Sequence, residues 1–285
     1  MYPAANHSGT DSAKIRGLYV ATEIGAVDFG LLAFTADALF GLNLRRHRLA
    51  HLCIALMMTP RAKPTVGRRA QMAVTAVEAW DERWATPEGR ADWLAPHPAV
   101  AALVPVLMAR GAEHVLDLGC GVGRHALLFA EHGFAVEAID GAAAGLDFAR
   151  REAAARGLRL SLSQADADTL PFADESFEYV LSWNVIFHGT MGDVGRRLAE
   201  IWRILKPGGL YQGTMLSKRD AQFGRGRAVA PDTFIRGRDA NAHPHYYCDL
   251  AGLAALFAGF ELLSLTQEEQ RRPGSWHWHI LAERR

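Results

Sequence analysis

Three glycines and a cysteine follow directly on an apolar run in Val115-Leu-Asp-Leu-Gly-Cys-Gly-Val-Gly123. A buried strand that ends in Gly119, Cys120, Gly121 and Gly123 lets backbone come close to a ligand and adopt positive φ. The helix expected next offers its first N–H groups to an anionic or carboxylate-bearing ligand. Open α/β sheets bind ligands at this place, the carboxyl end of a strand. The nicotinamide fingerprint Gly-x-Gly-x-x-Gly fails here, because its third glycine falls on Arg124. The pattern present is Asp-x-Gly-x-Gly-x-Gly beginning at Asp117, and a Gly-Lys-Ser/Thr phosphate loop is absent.

Partners for a nucleoside lie downstream. Val136-Glu-Ala-Ile-Asp140 reads as a second strand with a carboxylate at its tip, followed by Gly141. An acidic residue there accepts both hydroxyls of a ribose. A third strand runs into Gln164-Ala-Asp-Ala-Asp168. Asp166 and the backbone of Ala167 are placed to read an adenine edge, with Asp168 the alternative carboxylate and a turn cap the competing role for Asp166. Trp183, Asn184 and His188 follow a fourth strand, and His243-Pro-His-Tyr-Tyr-Cys248 and Trp276-His-Trp-His279 supply further side chains that bind or orient a second molecule. His188 and Tyr246 are the candidate catalytic groups. His243 and His245 alternate as two ligands on a strand would, but no compact His/Cys/carboxylate motif accompanies them, and no metal site is assigned. Trp276 and Trp278 share one face of the last strand and His277 and His279 the other. The tryptophans read as core, the histidines as solvated edge.

The elements that position these residues alternate. Strands are expected at 113–118, 134–140, 158–163, 176–182, 208–216, 258–265 and 275–283, and helices at 123–132, 142–156, 193–205 and 249–257. This order predicts a mostly parallel sheet covered by helices on both faces. The last two strands, joined through Pro273-Gly274, predict an antiparallel hairpin at one edge. Residues 217–248 lack periodicity and read as an insertion. Trp80 and Trp84, four apart, share one face of a helix that precedes the alternation.

Asp117–Gly123, Asp140, Ala165-Asp-Ala167, Leu170-Pro-Phe172, Phe177–Ser182 and Leu205-Lys-Pro-Gly-Gly209 together resemble the class I S-adenosylmethionine (SAM) dependent methyltransferases, over roughly residues 78–284. The resemblance implies a Rossmann-like sheet of seven strands with the last one antiparallel. It also implies SAM held by Asp117, the loop Gly119–Gly123, Asp140 with Gly141, Asp166, Ala167 and Trp183. Gly-Cys-Gly-x-Gly-Arg-His and Phe134–Asp140 are similar to the small-molecule branch that includes tellurite-resistance methyltransferases. The C-terminal half departs from that branch, and the cysteine set of arsenite methyltransferases is missing. In-line methyl transfer from a sulfonium depends mainly on alignment, so a general base is required only when the acceptor must lose a proton.

Charge narrows the partners. Residues 1–71 hold nine Lys/Arg against four Asp/Glu, and residues 72–285 hold 22 against 27. An acidic body matches nucleic acid poorly, which favours a small-molecule acceptor. The rival readings are an RNA or protein methyltransferase docking through the basic Arg45–Arg48 cluster, and a SAM-binding protein without turnover. No uncharged run of transmembrane length exists, and the start does not read as a signal peptide. Cys53, Cys120 and Cys248 form no CxxC pair, which fits a reducing cytoplasm. Residues 1–71 form an N-terminal helical extension, a membrane-surface segment, or sequence upstream of a start at Met72; residues 72–285 form the methyltransferase domain. Oligomeric state is not legible.

Overall fold

The computed structural model describes residues 77–236, 243–270 and 272–285. The readings of residues 1–71 and of a start at Met72 lie outside the described residues.

The centre of the sheet is set by strands that are apolar on both faces. β1 (His114–Leu118) is buried at every position after His114, and β4 (Phe177–Ser182) at every position but Glu178. Such runs suit parallel strands with helices on either side. β1 pairs in parallel with β2 (Ala135–Asp140) and β4, β2 with β3 (Ser161–Gln164), and β4 with β5 (Leu205–Ser217). Beyond β5 the direction reverses. β10 (Trp276–Arg284) runs antiparallel to β5 and to β9 (Phe260–Glu269). The main sheet therefore runs β3-β2-β1-β4-β5-β10-β9, with seven strands and the last one antiparallel as the resemblance implied.

N-terminal helical pieces come first: α1 (77–85), α2 (Pro87–Arg90), α3 (Pro98–Ala101) and α4 (Val104–Ala109). The sheet helices are α5 (Arg124–Glu131), α6 (Ala143–Ala155), α7 (Met191–Ile204) and α8 (Leu250–Leu256). α7 starts two residues before its expected position because Thr190 and Asp193 form a reciprocal capping box. α8 is capped by Asp249, whose carboxylate accepts from Gly252 N at 2.9 Å. Among the described residues no single helix is long and apolar enough to cross a membrane.

Two expectations need correction. β10 is not the edge strand: it lies between β5 and β9, so His277 and His279 are each 7% exposed rather than solvated. The 217–248 insertion is not irregular throughout. It holds β6 (Arg227–Ala230), β7 (Thr233–Ile235) and β8 (Pro244–Cys248), an antiparallel meander joined to the tip of β5 by Leu216↔Tyr247 and Ser217↔Cys248. Strands of three to five residues leave too few alternations for a period to show. β9 likewise runs to Glu269, where polar Thr266–Glu269 pair with Trp276–His279.

Candidate functional site

The carboxyl ends of β1, β2 and β4 open into a cleft of about 960 Å³, counting its mouth.

One end of the cleft is built by the glycine loop. Gly119, Gly121 and Gly123 have φ of +71°, +54° and +79°. Gly119 N and Cys120 N donate to Ile139 O at 2.8 and 3.0 Å, which ties the loop to β2. Asp140 completes it: Oδ2 accepts from Gly121 N at 2.7 Å and Oδ1 from Ala142 N at 2.8 Å. Burial pushes the Asp140 carboxyl above its ordinary range, opposed by the N–H groups of Ala142, Gly121 and Gly141. α6 turns small residues to the loop from one face. A Cβ on Gly145 would meet Gly121 O at 2.7 Å, and one on Gly123 would meet the Ala149 methyl at 2.6 Å.

Three tryptophans wall this end. Trp80 and Trp84 stack at 5.1 Å, and Trp93 meets them edge-on at 5.8 and 5.5 Å. The Trp84 ring lies over Gly121, 3.1 Å from where a Cβ would stand. Trp80 and Trp84 share a helix face as their spacing requires. Trp93, in the turn Ala91–Trp93, carried no sequence signal for the site.

The other end is aromatic and rich in histidine. Trp183 is 5% exposed, with its ring 4.4 Å from His97 and 4.9 Å from His279. His125 Nε2 accepts from His97 N at 3.1 Å. Asn184 takes φ +64°, with its N–H donating to Thr214 Oγ1 at 2.9 Å and its Oδ1 accepting from that hydroxyl at 3.0 Å. Its carbonyl thereby faces His188 Nε2 at 3.1 Å. His188 Nδ1 lies 2.9 Å from His243 Nε2. Residues 187–189 run antiparallel to β8: Tyr246 N donates to Phe187 O at 3.0 Å and Gly189 N to Pro244 O at 2.9 Å. This pairing brings His243 and His245 to His188, a grouping that no compact sequence motif marks.

The residues expected to act divide accordingly. Gly119, Cys120, Gly121, Asp140, Gly141, Ala167, Trp183 and His188 line the cleft. Asp117 does not. It is 1% exposed beneath the loop, and its Oδ2 accepts from Ala126 N at 3.1 Å, anchoring the start of α5. Burial raises its pKa to about 7 against the pull of Arg124. Gly123 serves the turn into α5 and its packing on Ala149. Asp166 is exposed, and its Oδ1 accepts from Asp168 N at 2.9 Å, the turn-capping role weighed against adenine recognition. Tyr246 is a correction. Alternation along β8 turns it to the face opposite His245, and its hydroxyl stands 3.4 Å from where a Cβ on Gly252 would lie, against α8. His188 borders the cleft but offers no free base, since both ring nitrogens are engaged. Burial, with His245, His243 and Arg197 nearby, holds its pKa well below the ordinary value. Burial raises the Cys120 thiol, with Asp140 and Asp117 adding to it, so it remains protonated.

Residues 115–209 match the family described as "Methyltransferase domain". A demethylmenaquinone methyltransferase of Symbiobacterium thermophilum is 33% identical over 158 residues, which are 48% of this chain and 60% of that protein. The chain spans about half the length of the curated relatives it matches. Among solved structures, 1,6-didemethyltoxoflavin-N1-methyltransferase of Burkholderia thailandensis, with bound substrate and S-adenosylhomocysteine, superposes with a TM-score of 0.57. Its identity is 20%, over 79% of this chain and 92% of that one. TehB of Haemophilus influenzae gives a TM-score of 0.51 at 17% identity, over 67% and 63%. At these identities the likeness is one of fold.

Proposed function

We propose that this chain, which belongs to the class I SAM-dependent methyltransferases, transfers a methyl group from SAM to a small, largely apolar or aromatic acceptor. The observation that carries the reading is the two-ended cleft. A glycine loop and a strand-tip carboxylate form one end, and buried aromatic rings form the other, all at the carboxyl edge of one sheet. The donor end fits SAM. The bare backbone at Gly121 leaves room beneath Trp84 that a side chain would take. Each Asp140 oxygen accepts one backbone N–H and keeps lone-pair capacity for a ribose hydroxyl.

SAM supplies a methyl carbon on a sulfonium, ready for in-line displacement. Gly119–Gly121 and the start of α5 hold its amino-acid portion and Asp140 its ribose. Ala165 and Ala167 border the place for its base, with Asp166 and Asp117 acting at the rim and beneath the loop. The tryptophan faces favour a cationic sulfonium electrostatically, and the apolar walls exclude water from the line of attack. Trp183, Asn184 and His188 border the acceptor. The relatives' printed names include methylation of demethylmenaquinone and of didemethyltoxoflavin, both small molecules, which supports a small-molecule acceptor here. A reducing compartment such as the cytoplasm fits Cys120 and Cys248, both buried and free.

The test is S-adenosylhomocysteine release from SAM across a panel of phenols, quinols, thiols, amines and carboxylic acids. The expected outcome is turnover with at least one apolar or aromatic class, falling at least about tenfold in Asp140→Ala. SAM that binds but is not turned over with any class would reduce the chain to a SAM-binding protein.

A further inference from the structure

His188, His243 and His245 come from two stretches more than 50 residues apart, yet one ring nitrogen from each lies within 4.8 Å of the others. We propose that these three histidines bind a divalent transition-metal ion of the zinc class beside the acceptor end of the cleft.

The spacing fits. Zinc bonds its imidazole nitrogens at about 2.0–2.1 Å in tetrahedral geometry, which places neighbouring ligand nitrogens about 3.3 Å apart. The His188 Nδ1 to His243 Nε2 edge is 2.9 Å. A modest opening of that edge and closing of the others makes a three-nitrogen face. Two of the three tautomers fit as they stand; His243, whose Nε2 donates to His188 Nδ1, would shift that proton to its Nδ1 to bind the ion. A carbonyl only accepts, so the contact with Asn184 O puts the His188 proton on Nε2 and leaves the Nδ1 lone pair facing the cluster. In the same way the 2.9 Å contact with His243 O puts the His245 proton on Nδ1 and its lone pair on Nε2. Histidines that ligate metals are commonly fixed through their second nitrogen in this manner. The Asn184 carbonyl is aimed by a left-handed backbone held on both sides by Thr214. Two guanidiniums stand near the cluster: Arg197 pairs with Asp168 at 2.7 Å and donates to Ile186 O at 3.1 Å and to the carbonyl of His188 itself, and Arg236 acts on His245.

The charge count indicates what else would bind. Three neutral ligands leave the ion's double charge for a fourth one, and three-residue zinc sites keep that position for water or substrate. His188 belongs to both the cluster and the cleft lining. An acceptor with an ionisable hydroxyl or thiol is therefore the class of molecule the ion would hold. That last step rests on the methyltransferase reading; the binding of the ion does not.

The experiment titrates the full chain, stripped of metal by chelator, with Co²⁺ and then displaces it with Zn²⁺. One equivalent of Co²⁺ should give the intense visible bands of four-coordinate cobalt, and Zn²⁺ should remove them and raise Tm. His245→Ala and His245→Gln should each lose those bands, with affinity at least about 100-fold weaker. Both variants should keep the metal-free Tm of the parent within a few degrees, and the glutamine variant serves if alanine unfolds the chain. S-Adenosylhomocysteine affinity, read on the same samples, reports separately on the donor site. Cobalt bound with equal affinity and spectrum in the variants, or only weak octahedral bands in the parent, would overturn the proposal.

Discussion

The two ends of the cleft are built by opposite strategies. The donor end is local: Asp117 to Ala142 form one strand–loop–helix–strand unit, and backbone groups do most of the work. The acceptor end is assembled from the β4 tip, the insertion, the segment before α3 and the last strand, and side chains do the work. A local backbone site is suited to one fixed ligand. A site gathered from distant loops can vary its acceptor while the donor site stays the same.

The largest expected effect tests what lies under the donor loop. Asp117 has a folded pKa raised to about 7, so the folded chain holds a proton that the unfolded chain releases near 4. Stability from this group is present below about pH 4 and declines as pH rises through about 7, on the order of 4 kcal/mol in all. Urea midpoints from pH 4 to 8 should show that decline against the remaining groups. Asp117→Asn should remove it, and an unchanged slope would place the titration elsewhere.

Next in size is Gly123→Ala, which requires a left-handed alanine with its methyl against Ala149. A loss of about 3 kcal/mol in denaturant unfolding is expected. Asp140→Ala should weaken S-adenosylhomocysteine by about 1.5–3 kcal/mol, tenfold or more, because the ribose acceptor and the anchor of Gly121 vanish together. Smallest on the donor side is Trp183→Leu. If Trp183 belongs to the acceptor end, S-adenosylhomocysteine affinity should stay within about twofold while acceptor KM rises several-fold. A large loss of donor affinity would move Trp183 across the boundary and blur the division between the two ends.

The same division explains what was legible in the sequence. Asp140 and the glycine loop announce themselves because a strand tip and a turn are short-range patterns. The helix face shared by Trp80 and Trp84 was legible for the same reason. Trp93 was not, since a three-residue turn has no period. The place of β10 depends on pairing with β5 across more than 60 residues. Alternation separates the two faces of this strand but does not say which is covered, so His277 and His279 read as a solvated edge. Tyr246 and His245 are adjacent, and which of them faces His188 is decided by the short pairing of 187–189 with β8. Asp117 belongs to the same short-range motif, but its place beneath the loop depends on the start of α5, where it accepts from Ala126 N.

Calorimetric titration of the full chain with S-adenosylhomocysteine tests the central claim most directly. Saturable binding near one ligand per chain, weakened tenfold or more in a folded Asp140→Ala, is the predicted result. A folded parent that binds no S-adenosylhomocysteine, or an Asp140→Ala variant that binds it equally well, would contradict the account.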